Sequence, residues 1–334
     1  MSFFAILFAL LIEQVRPLAR GNPIHAGLRT WARWVAGNFD AGKPHHGWVA
    51  WGLAVPGPAV AALVVHLLLV TYVGWVFAML WSVAVLYVTL GFRQFSHHFT
   101  NIRDALDAGD EGRARELLAL WQQVDASELP RSEIVRHVIE YSVLAAHRHV
   151  FGVLGWFSVL AAFGLGPAGA VLYRMSEFVD RFWQHAGKTS DHPVSPALLS
   201  VAAHAWAVID WLPSRVTALG FAVVGSFEEA IDCWRNYAQR FPNDNDGVIL
   251  AATSGAVNVR LGGEALKAAA FAPNQSGGFG AAGLQPQATI DNSESTPGRE
   301  AEVGHLRSVV GLVWRSVVLW MVLLALLTLA RLLG

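Results

Sequence analysis

Long apolar runs, separated by shorter polar stretches, set the pattern of this chain. Residues 47–70 and 73–90 contain no ionisable side chain other than His66 and Tyr87, and residues 309–329 carry one charge, Arg315. At about 1.5 Å per residue, a run of roughly 20 apolar residues crosses the ~30 Å hydrocarbon core of a membrane. These runs therefore predict three membrane-spanning helices, and the short gap between the first two predicts a tight hairpin.

A fourth apolar stretch, residues 150–173, is interrupted by Gly164 and Pro167. It can either cross the membrane once with a kink, or enter and return as a re-entrant pair, which is tolerated where protein buries the broken backbone. Basic residues recur through residues 174–260, and a single crossing would place them outside the cell. Because cytoplasmic loops carry the excess of Lys and Arg, the return alternative is favoured.

The N-terminal half also predicts helices with one polar face. The apolar start of the chain predicts a helix to Arg16, and apolar residues at helical spacing within residues 28–35 predict an amphipathic helix along the membrane surface. Residues 104–118 predict two helices joined by a turn at a Gly-Asp pair, and a further helix should run from Ser132, its N-cap, to His149. Residues 1–47 and 91–149 are both rich in Arg. The first two spans lie between these regions, so both regions can face the cytoplasm.

A proline lies in the middle of the largely apolar segment 201–227. Pro213 is predicted to break any helix that arrives from Val201, because it lacks an N–H and its ring clashes with the preceding turn. Asp210 and Arg215 lie beside the predicted break. One interpretation is an elbow at the membrane edge, with Asp210 as a helix cap and Arg215 reaching the lipid headgroups. The other is a polar site held at the membrane surface.

Composition favours a membrane protein. Only 15 % of the 334 residues are charged, whereas a soluble domain carries roughly 25 %. The net charge of −1 gives no general attraction for nucleic acid, and the lone cysteine, Cys233, excludes an internal disulfide and a cysteine-based zinc site. The sequence predicts an all-α polytopic membrane protein with polar helices facing the cytoplasm. Its predicted parts are a membrane domain over residues 1–267, a flexible linker over residues 268–304 and a C-terminal transmembrane helix over residues 305–334.

Common catalytic motifs are absent from the sequence. There is neither a Gly-x-x-x-x-Gly-Lys-Ser/Thr phosphate loop nor a dinucleotide-binding unit, and the histidines show no metal-ligand spacing, so no metal site is predicted. Glu140 and Asp180 are candidates instead, because carboxylates among apolar residues are costly to bury and mark functional sites. The alternative for each is an ion pair within its own helix, with Arg136 for Glu140 and with Arg181 for Asp180.

Several stretches resemble the CobD/CbiB family of membrane proteins, in the same order along the chain. Residues 138–140 are similar to the family's Val-Ile-Glu, and residues 172–180 are similar to its Tyr-Arg-x-x-Asn-x-x-Asp segment. Residues 210–218, Asp-Trp-Leu-Pro-Ser-Arg-Val-Thr-Ala, resemble Asn-Tyr-Ile-Pro-Ala-Arg-Leu-Thr-Ala. Residues 242–263 begin with Pro-Asn and end with Val-Arg-Leu-Gly-Gly, as the corresponding family segment does.

The resemblance implies an enzyme of late cobalamin biosynthesis. Such proteins use ATP to join the propionate carboxylate of adenosylcobyric acid to the amine of aminopropanol or its phosphate, which gives adenosylcobinamide or its phosphate. The implied cofactors are ATP and Mg²⁺. The implied partners are a corrinoid substrate and the lipids of a bacterial inner membrane, crossed several times, and a homo-oligomer is compatible with this scheme. The implied carboxylates for metal binding or proton transfer are Glu140 and Asp180, and the implied substrate- or phosphate-binding groups are Arg174, Asp210, Arg215, Asn243 and Arg260.

The sequence departs from the family pattern at several polar positions. Tyr141, Glu177 and Asp210 stand where the family carries asparagine. The apolar start of the chain and the Asp-Trp pair at residues 210–211 are closer to the AmpE branch of the same superfamily. That resemblance implies the alternative function, a non-catalytic sensor or signalling protein of the inner membrane.

Overall fold

The computed structural model describes residues 2–16, 23–122, 124–189, 194–263 and 294–333. It is 84 % helical, and no strand occurs among these residues, which confirms the all-α prediction. The helices are α1 (Ser2–Val15), α2 (Pro23–Phe39), α3 (Pro44–Ala54), α4 (Pro56–Leu68), α5 (Trp75–Thr89), α6 (Phe92–Asp107), α7 (Glu111–Gln122), α8 (Arg131–Ala146), α9 (Gly152–Ala162), α10 (Ala168–Thr189), α11 (Pro196–Val224), α12 (Phe227–Tyr237), α13 (Asp244–Val257) and α14 (Val303–Leu333).

The protein is a membrane protein by the length and composition of its helices. Four helical segments of the described chain are long and apolar enough to cross a membrane, Pro44–Val73, Arg131–Ala162, Pro196–Val224 and Val303–Ala330. The first and last contain two of the predicted runs. The run at residues 73–90 forms the shorter helix α5, and the two central segments were not predicted as spans.

The predicted hairpin of the first two runs is present. Residues 69–73 end the first run in a π-helical turn, and Gly74 follows with a φ of 117°, which favours glycine. The next helix, α5, then packs against α4. The indole N–H of Trp81 donates to the carbonyl oxygen of Ala62 at 3.1 Å and holds the two arms together.

The helix predicted from Ser132 to His149 continues much further. α8, a π-helical turn over residues 147–151 and α9 form one helix of 32 residues. Its N-cap is Pro130 and not Ser132, so that prediction was wrong. The predicted helix ends near residue 150 because the first half of the observed helix carries many charged side chains. Those charges are neutralised by buried ion pairs, and the polar pattern therefore concealed a central span.

The chain turns back within residues 150–173, as the favoured alternative required. A turn over residues 163–167 separates α9 from α10, and the two helices then pack side by side. A Cβ on Gly152 would overlap the phenol ring of Tyr173, so glycine permits the close approach. The incoming arm is the end of a segment that is itself long and apolar enough to cross a membrane.

The predicted break at Pro213 is wrong, because α11 runs through it without interruption. Proline removes the hydrogen bond that the carbonyl oxygen of Ile209 would accept from position 213. The indole N–H of Trp156 on α9 donates to this oxygen at 3.0 Å, so the carbonyl group keeps a partner. Asp210 lies inside the helix and is not a helix cap.

The polar helices predicted in residues 104–118 are present as the end of α6 and the start of α7. The carboxylate of Asp110 accepts from the backbone N–H of Arg113 at 2.9 Å and caps the start of α7. At the N-terminus, α1 ends at Val15, next to the predicted Arg16, and α2 follows as a separate helix. The placement of α2 along a membrane surface stays a prediction.

Most of the predicted linker, residues 268–304, lies outside the described residues. Its last part, residues 294–302, packs against the segment that follows α13. There the backbone N–H of Arg260 donates to the carbonyl oxygen of Arg299 at 2.7 Å. The last helix, α14, then packs against α1, α8 and α11.

Candidate active-site cleft

A cleft of about 900 Å³ opens between α10, α11 and the start of α13. Helix α11 supplies a wall that is mainly apolar and aromatic, and α10 and the start of α13 supply polar side chains. Three of the seven residues predicted as site residues line this cleft, namely Asp180, Arg215 and Asn243. They come from α10, from α11 and from the N-cap of α13, so the fold gathers polar groups that are up to 63 positions apart in the sequence.

Asp180 belongs to the wall formed by α10. It lies four residues before Gln184, so both side chains project from the same side of the helix into the cleft. The residue is 7 % exposed, and its Oδ1 has no hydrogen-bond partner among the described residues. Burial raises the pKa of this carboxyl from 3.8 to about 6. A carboxylate with this pKa can accept a proton near neutral pH, as a general base does.

Arg215 belongs to the wall formed by α11 and is held in one orientation. Its Nη1 donates to Oδ1 of Asn245 at 2.7 Å, to the carbonyl oxygen of Trp211 at 2.9 Å and to Oγ of Ser214 at 3.1 Å. Its guanidinium carbon lies 4.5 Å from the centre of the Trp211 ring, a cation–π contact. Because Nη1 makes all of these bonds, Nε and Nη2 remain available, within the described chain, for an oxyanion in the cleft.

The start of α13 forms the third side of the cleft. Asn243 is the N-cap, and its side-chain oxygen accepts from the backbone N–H of Asn245 at 3.2 Å. Asn245 in turn donates through Nδ2 to the carbonyl oxygen of Ala207 on α11 at 2.9 Å. Asp244 adds an exposed carboxylate to the first turn. This side therefore presents amide groups and a carboxylate at the positive end of a helix dipole.

A buried ion pair fastens this third side to the central helix. Arg148, in the π-helical turn, donates through Nη2 to both carboxylate oxygens of Asp246, at 2.8 and 2.6 Å. Both side chains are almost fully buried. Asp246 follows Asn245 directly, so the pair fixes the first turn of α13. Removing one partner would leave an uncompensated charge in the interior, which is strongly destabilising.

Glu177 joins two arginines along α10. It accepts from Nη1 of Arg174 and from Nε of Arg181, the latter at 3.0 Å. Burial alone would raise the pKa of Glu177, but the two arginines hold it below its usual value. Arg174, a predicted substrate-binding residue, thus lies in a buried ion pair and not on the cleft wall. The sequence offered an ion pair between Asp180 and Arg181 as one alternative. In the structure, Arg181 pairs with Glu177 instead.

Asp210 lies behind the α11 wall, in a buried polar network. The hydroxyl of Tyr173 donates to its Oδ1 at 2.7 Å, and the Nε2–H of His147 donates to the same oxygen at 2.8 Å. With the proton on Nε2, the Nδ1 of His147 accepts from the hydroxyl of Thr217 at 2.9 Å. Trp206, which lines the cleft, packs on Tyr173 with ring centres 5.2 Å apart. Asp210 therefore supports the wall and does not line the cleft.

Glu140 and Arg260 do not line the cleft either. Glu140 is fully buried and pairs with Arg136 at 3.0 Å, which is the i,i+4 alternative that the sequence offered. Its Oε1 also accepts from the backbone N–H of Gly262 at 2.7 Å. The Arg260 side chain is exposed. Glu140 thus holds the segment that carries Arg260, and the two residues are linked through Gly262.

Sequence reasoning missed several residues that build the site. The partners of Arg148 and His147 lie 98 and 63 residues away, so no local pattern could indicate them. Glu177 and Arg181, in contrast, are four residues apart on a predicted helix, and that spacing was a usable signal. Trp211 appeared only as part of a motif, although it forms an exposed part of the cleft wall.

Comparison with known proteins assigns the family. The family model described as CobD/Cbib protein matches residues 3–291, which is most of the chain. The chain belongs to the CobD/CbiB family. This result confirms the resemblance on which the site residues were predicted.

Relatives with curated names support the family assignment. The cobalamin biosynthesis protein CobD of Stutzerimonas stutzeri is 28 % identical over 329 residues, 96 % of each chain. The protein of the same name from Chromobacterium violaceum is 33 % identical over 221 residues, 64 % of this chain and 67 % of the relative. That of Leptospira interrogans is 28 % identical over 195 residues, 57 % of this chain and 58 % of the relative. No solved structure gives a significant match.

Proposed function

We propose that this CobD/CbiB protein acts in cobalamin biosynthesis, where it uses ATP to join adenosylcobyric acid to aminopropanol or its phosphate. The family and the names of the curated relatives support the pathway. The observation that carries the reaction is the convergence of Asp180, Arg215 and Asn243 in one cleft. Together they provide a base, a cation with available N–H groups and an amide donor.

Forming an amide from a carboxylate and an amine requires three things. The carboxylate must carry a leaving group, the amine must lose a proton, and the negative charge that develops on the carbonyl oxygen must be stabilised. ATP with Mg²⁺ would supply the first, because transfer of its terminal phosphoryl group to the carboxylate creates a phosphate that leaves as the amine nitrogen attacks. The protein supplies the other two.

Asp180 is the proposed base. Asp180 lines the cleft, and its Oδ1 has no hydrogen-bond partner among the described residues, so the carboxylate can accept the proton that the amine nitrogen loses as the C–N bond forms. Arg215 would bind a phosphate or carboxylate group through Nε and Nη2. Asn243 accepts through its side-chain oxygen within the helix cap, which leaves its Nδ2 to donate to the carbonyl oxygen of the substrate.

The donor set of the cleft is compatible with Mg²⁺ carried by a nucleotide. No group of three or more His, Cys, Asp or Glu side chains that could hold a metal ion occurs within the described residues. Mg²⁺ is usually bound by one or two carboxylates together with phosphate oxygens and water. Asp244 provides one such carboxylate on the cleft wall, and Arg215 lies in the same cleft for the phosphate. We therefore propose Mg²⁺ with ATP, and not a separate metal centre.

We also place the protein in a bacterial inner membrane, crossed several times, with lipids as its surroundings. Large apolar side chains on the spanning segments are exposed, among them Leu68 on α4, Val223 on α11 and Leu326 on α14. Exposed apolar surface on this scale is stable only against lipid or protein.

Complementation tests this function in the cell. The recipient strain lacks its cobinamide-forming ligase and grows only on cobalamin made from cobyric acid. Wild type is compared with Asp180→Asn and Arg215→Ala, and with Asp232→Asn as a matched control. Asp232 is an exposed carboxylate on α12 that accepts only from Asn236, one turn later on the same helix, among the described residues. Membrane levels of every variant are measured on the same cultures.

We expect growth with wild type and with Asp232→Asn, and none with the two cleft variants. Growth with both cleft variants would show that the reaction takes place elsewhere. Failure of a wild-type chain that inserts normally would reject the ligase and favour the non-catalytic role of the AmpE branch.

A further inference from the structure

One side of α11 forms a long ledge in the cleft. Four residues make up this ledge, His204, Val208, Trp211 and Arg215, and all of them line the cleft. Their spacing of four, three and four residues puts them on one side of the helix. The eleven steps from His204 to Arg215, at a rise of ~1.5 Å each, extend over about 16 Å. Val208 is 61 % exposed and Trp211 is 55 % exposed, so the middle of the ledge offers apolar surface to a ligand.

The ring of Trp211 is held in place by its neighbour on the ledge. The guanidinium of Arg215 lies over this ring at 4.5 Å. Arg215 is itself fixed by Asn245, at the start of α13. The ring is therefore pre-oriented, because the cation–π contact and the hydrogen bond act together. A pre-oriented aromatic surface binds a flat ring with little loss of side-chain freedom.

The other walls of the cleft have the opposite character. They place the amides of Gln184 and Asn243, together with the carboxylate of Asp180, across from the apolar ledge. The cleft thus pairs one flat apolar surface with several donors and acceptors. Its complement is a flat ring system with polar groups along its edge.

We propose that Trp211 binds the face of the corrin ring of the substrate, with the ledge extending this contact along α11. This inference rests on the proposed function and adds the residue that positions the macrocycle. The length of the ledge favours a macrocycle over adenine, because a purine base covers only the part of the ledge around a single side chain. The amide and carboxylate groups at the edge of a corrin would then face the polar walls.

The test measures binding of two ligands to the full chain in lipid nanodiscs. Cobyric acid is followed by its visible absorbance in equilibrium dialysis, and a non-hydrolysable ATP analogue is followed separately with Mg²⁺ present. The variants are Trp211→Ala, Trp211→Phe and Val208→Gln. Trp75→Ala is the matched control, because Trp75 on α5 is also 55 % exposed and lies outside the cleft.

Loss of one aromatic stacking partner typically weakens binding of a flat ring by about tenfold or more. We expect Trp211→Ala to raise the Kd for cobyric acid by at least about tenfold, and Trp211→Phe to change it by less than about threefold. Trp75→Ala should leave it unchanged, and the Kd for the ATP analogue should stay within about threefold for every variant. Val208 lies on the same ledge and is more exposed than Trp211, so Val208→Gln should also weaken the binding of cobyric acid. This variant provides a second measurement if Trp211→Ala does not fold.

Two results would overturn the proposal while the proposed function stands. The first is that Trp211→Ala and Val208→Gln both bind cobyric acid with wild-type affinity. The second is that these variants lose only their binding of the ATP analogue, which would place adenine on the ledge. A wild-type chain that is folded but binds no cobyric acid would reject the ligase function itself. The two kinds of failure are therefore distinguishable in one experiment.

Discussion

The indole N–H of Trp156 donates to the carbonyl oxygen of Ile209, the group that Pro213 leaves without its helical partner. The contact spans 53 positions of the sequence and joins α9 to the helix that forms the apolar wall of the cleft. It explains how a proline can lie inside a long helix in a lipid environment, where an unpaired carbonyl group is costly. Helix α11 therefore continues past Pro213, and Trp211 and Arg215, four residues apart, lie on one side of it.

Replacing Trp156 with Phe should destabilise the protein. The variant keeps a ring but leaves the oxygen of Ile209 without a donor, so we expect the free energy of unfolding to fall by about 1–3 kcal/mol. Unfolding by SDS in mixed micelles, followed by circular dichroism, measures this change. In a Pro213→Ala background the backbone N–H returns, and the same substitution should cost less than half as much. An equal cost in both backgrounds would contradict the explanation.

This contact also shows where sequence reasoning fails. The rule that proline ends a helix is local, and it was applied correctly to Pro213. No local pattern indicates that an indole from another helix replaces the lost donor. The apolar runs at residues 47–70 and 309–329 were assigned correctly, because a long uncharged run needs no partner to be recognised. The central span was not recognised, because its charged residues are neutralised by partners such as Asp246 that lie far along the chain.

A second prediction concerns the packing of α9 against α10. Gly152→Ala places a methyl group where the ring of Tyr173 lies, so the helices must separate or the ring must move. We expect a loss of about 1–3 kcal/mol in the free energy of unfolding. Gly155→Ala, three residues along the same helix, meets no atom within 4 Å and should be neutral or slightly stabilising. Equal effects of the two substitutions in the same SDS titration would refute the close approach.

A third prediction concerns the ion pair behind the cleft. Arg148→Met leaves the carboxylate of Asp246 buried without its partner, and we expect a cost of about 3–5 kcal/mol. Adding Asp246→Asn should recover a large part of this loss, because no unpaired charge then remains. Arg103→Met is the control, since its pair with Asp104 is partly exposed and contributes little. A double variant less stable than Arg148→Met alone would rule out a charge-neutralising role.

The charged residues that depart from the family pattern have local compensation. Glu177 stands where the family carries asparagine, and Arg174 and Arg181 neutralise it. Asp210 also replaces asparagine, and His147 and Tyr173 donate to it. The sequence shows these positions only as departures from the family pattern. The partners of Asp210 come from distant parts of the chain and only the fold shows them, whereas those of Glu177 lie within about one turn of it on α10.

A fourth prediction concerns pH. Burial places the pKa of Asp180 at about 6, so the base is protonated below that pH and kcat/KM should fall about tenfold per pH unit there. The same shift has the opposite effect on stability. A carboxyl whose folded pKa lies above its unfolded value favours the folded state as the pH falls from about 6 towards 4. Loss of activity in this range is therefore not caused by unfolding at Asp180.

The stability effect of the same carboxyl can be measured separately. At pH 7 the buried carboxylate is unfavourable, so Asp180→Asn should raise the free energy of unfolding by about 1–3 kcal/mol while activity is lost. The SDS titration at pH 7 and pH 5 checks this, because the gain should shrink at the lower pH. An activity profile that stays flat between pH 5 and pH 8 would show that Asp180 is not the base.

The central claim is that the cleft forms an amide by using ATP, and an assay with purified protein tests it most directly. The full chain in nanodiscs is supplied with adenosylcobyric acid, Mg²⁺, ATP and either aminopropanol or its phosphate. The corrinoid amide is measured by mass spectrometry and ADP by chromatography. We predict equal amounts of amide and ADP with one of the amines, and a turnover at least about 100-fold lower in Asp180→Asn. A folded wild-type chain that binds cobyric acid but forms neither product with either amine would contradict the account.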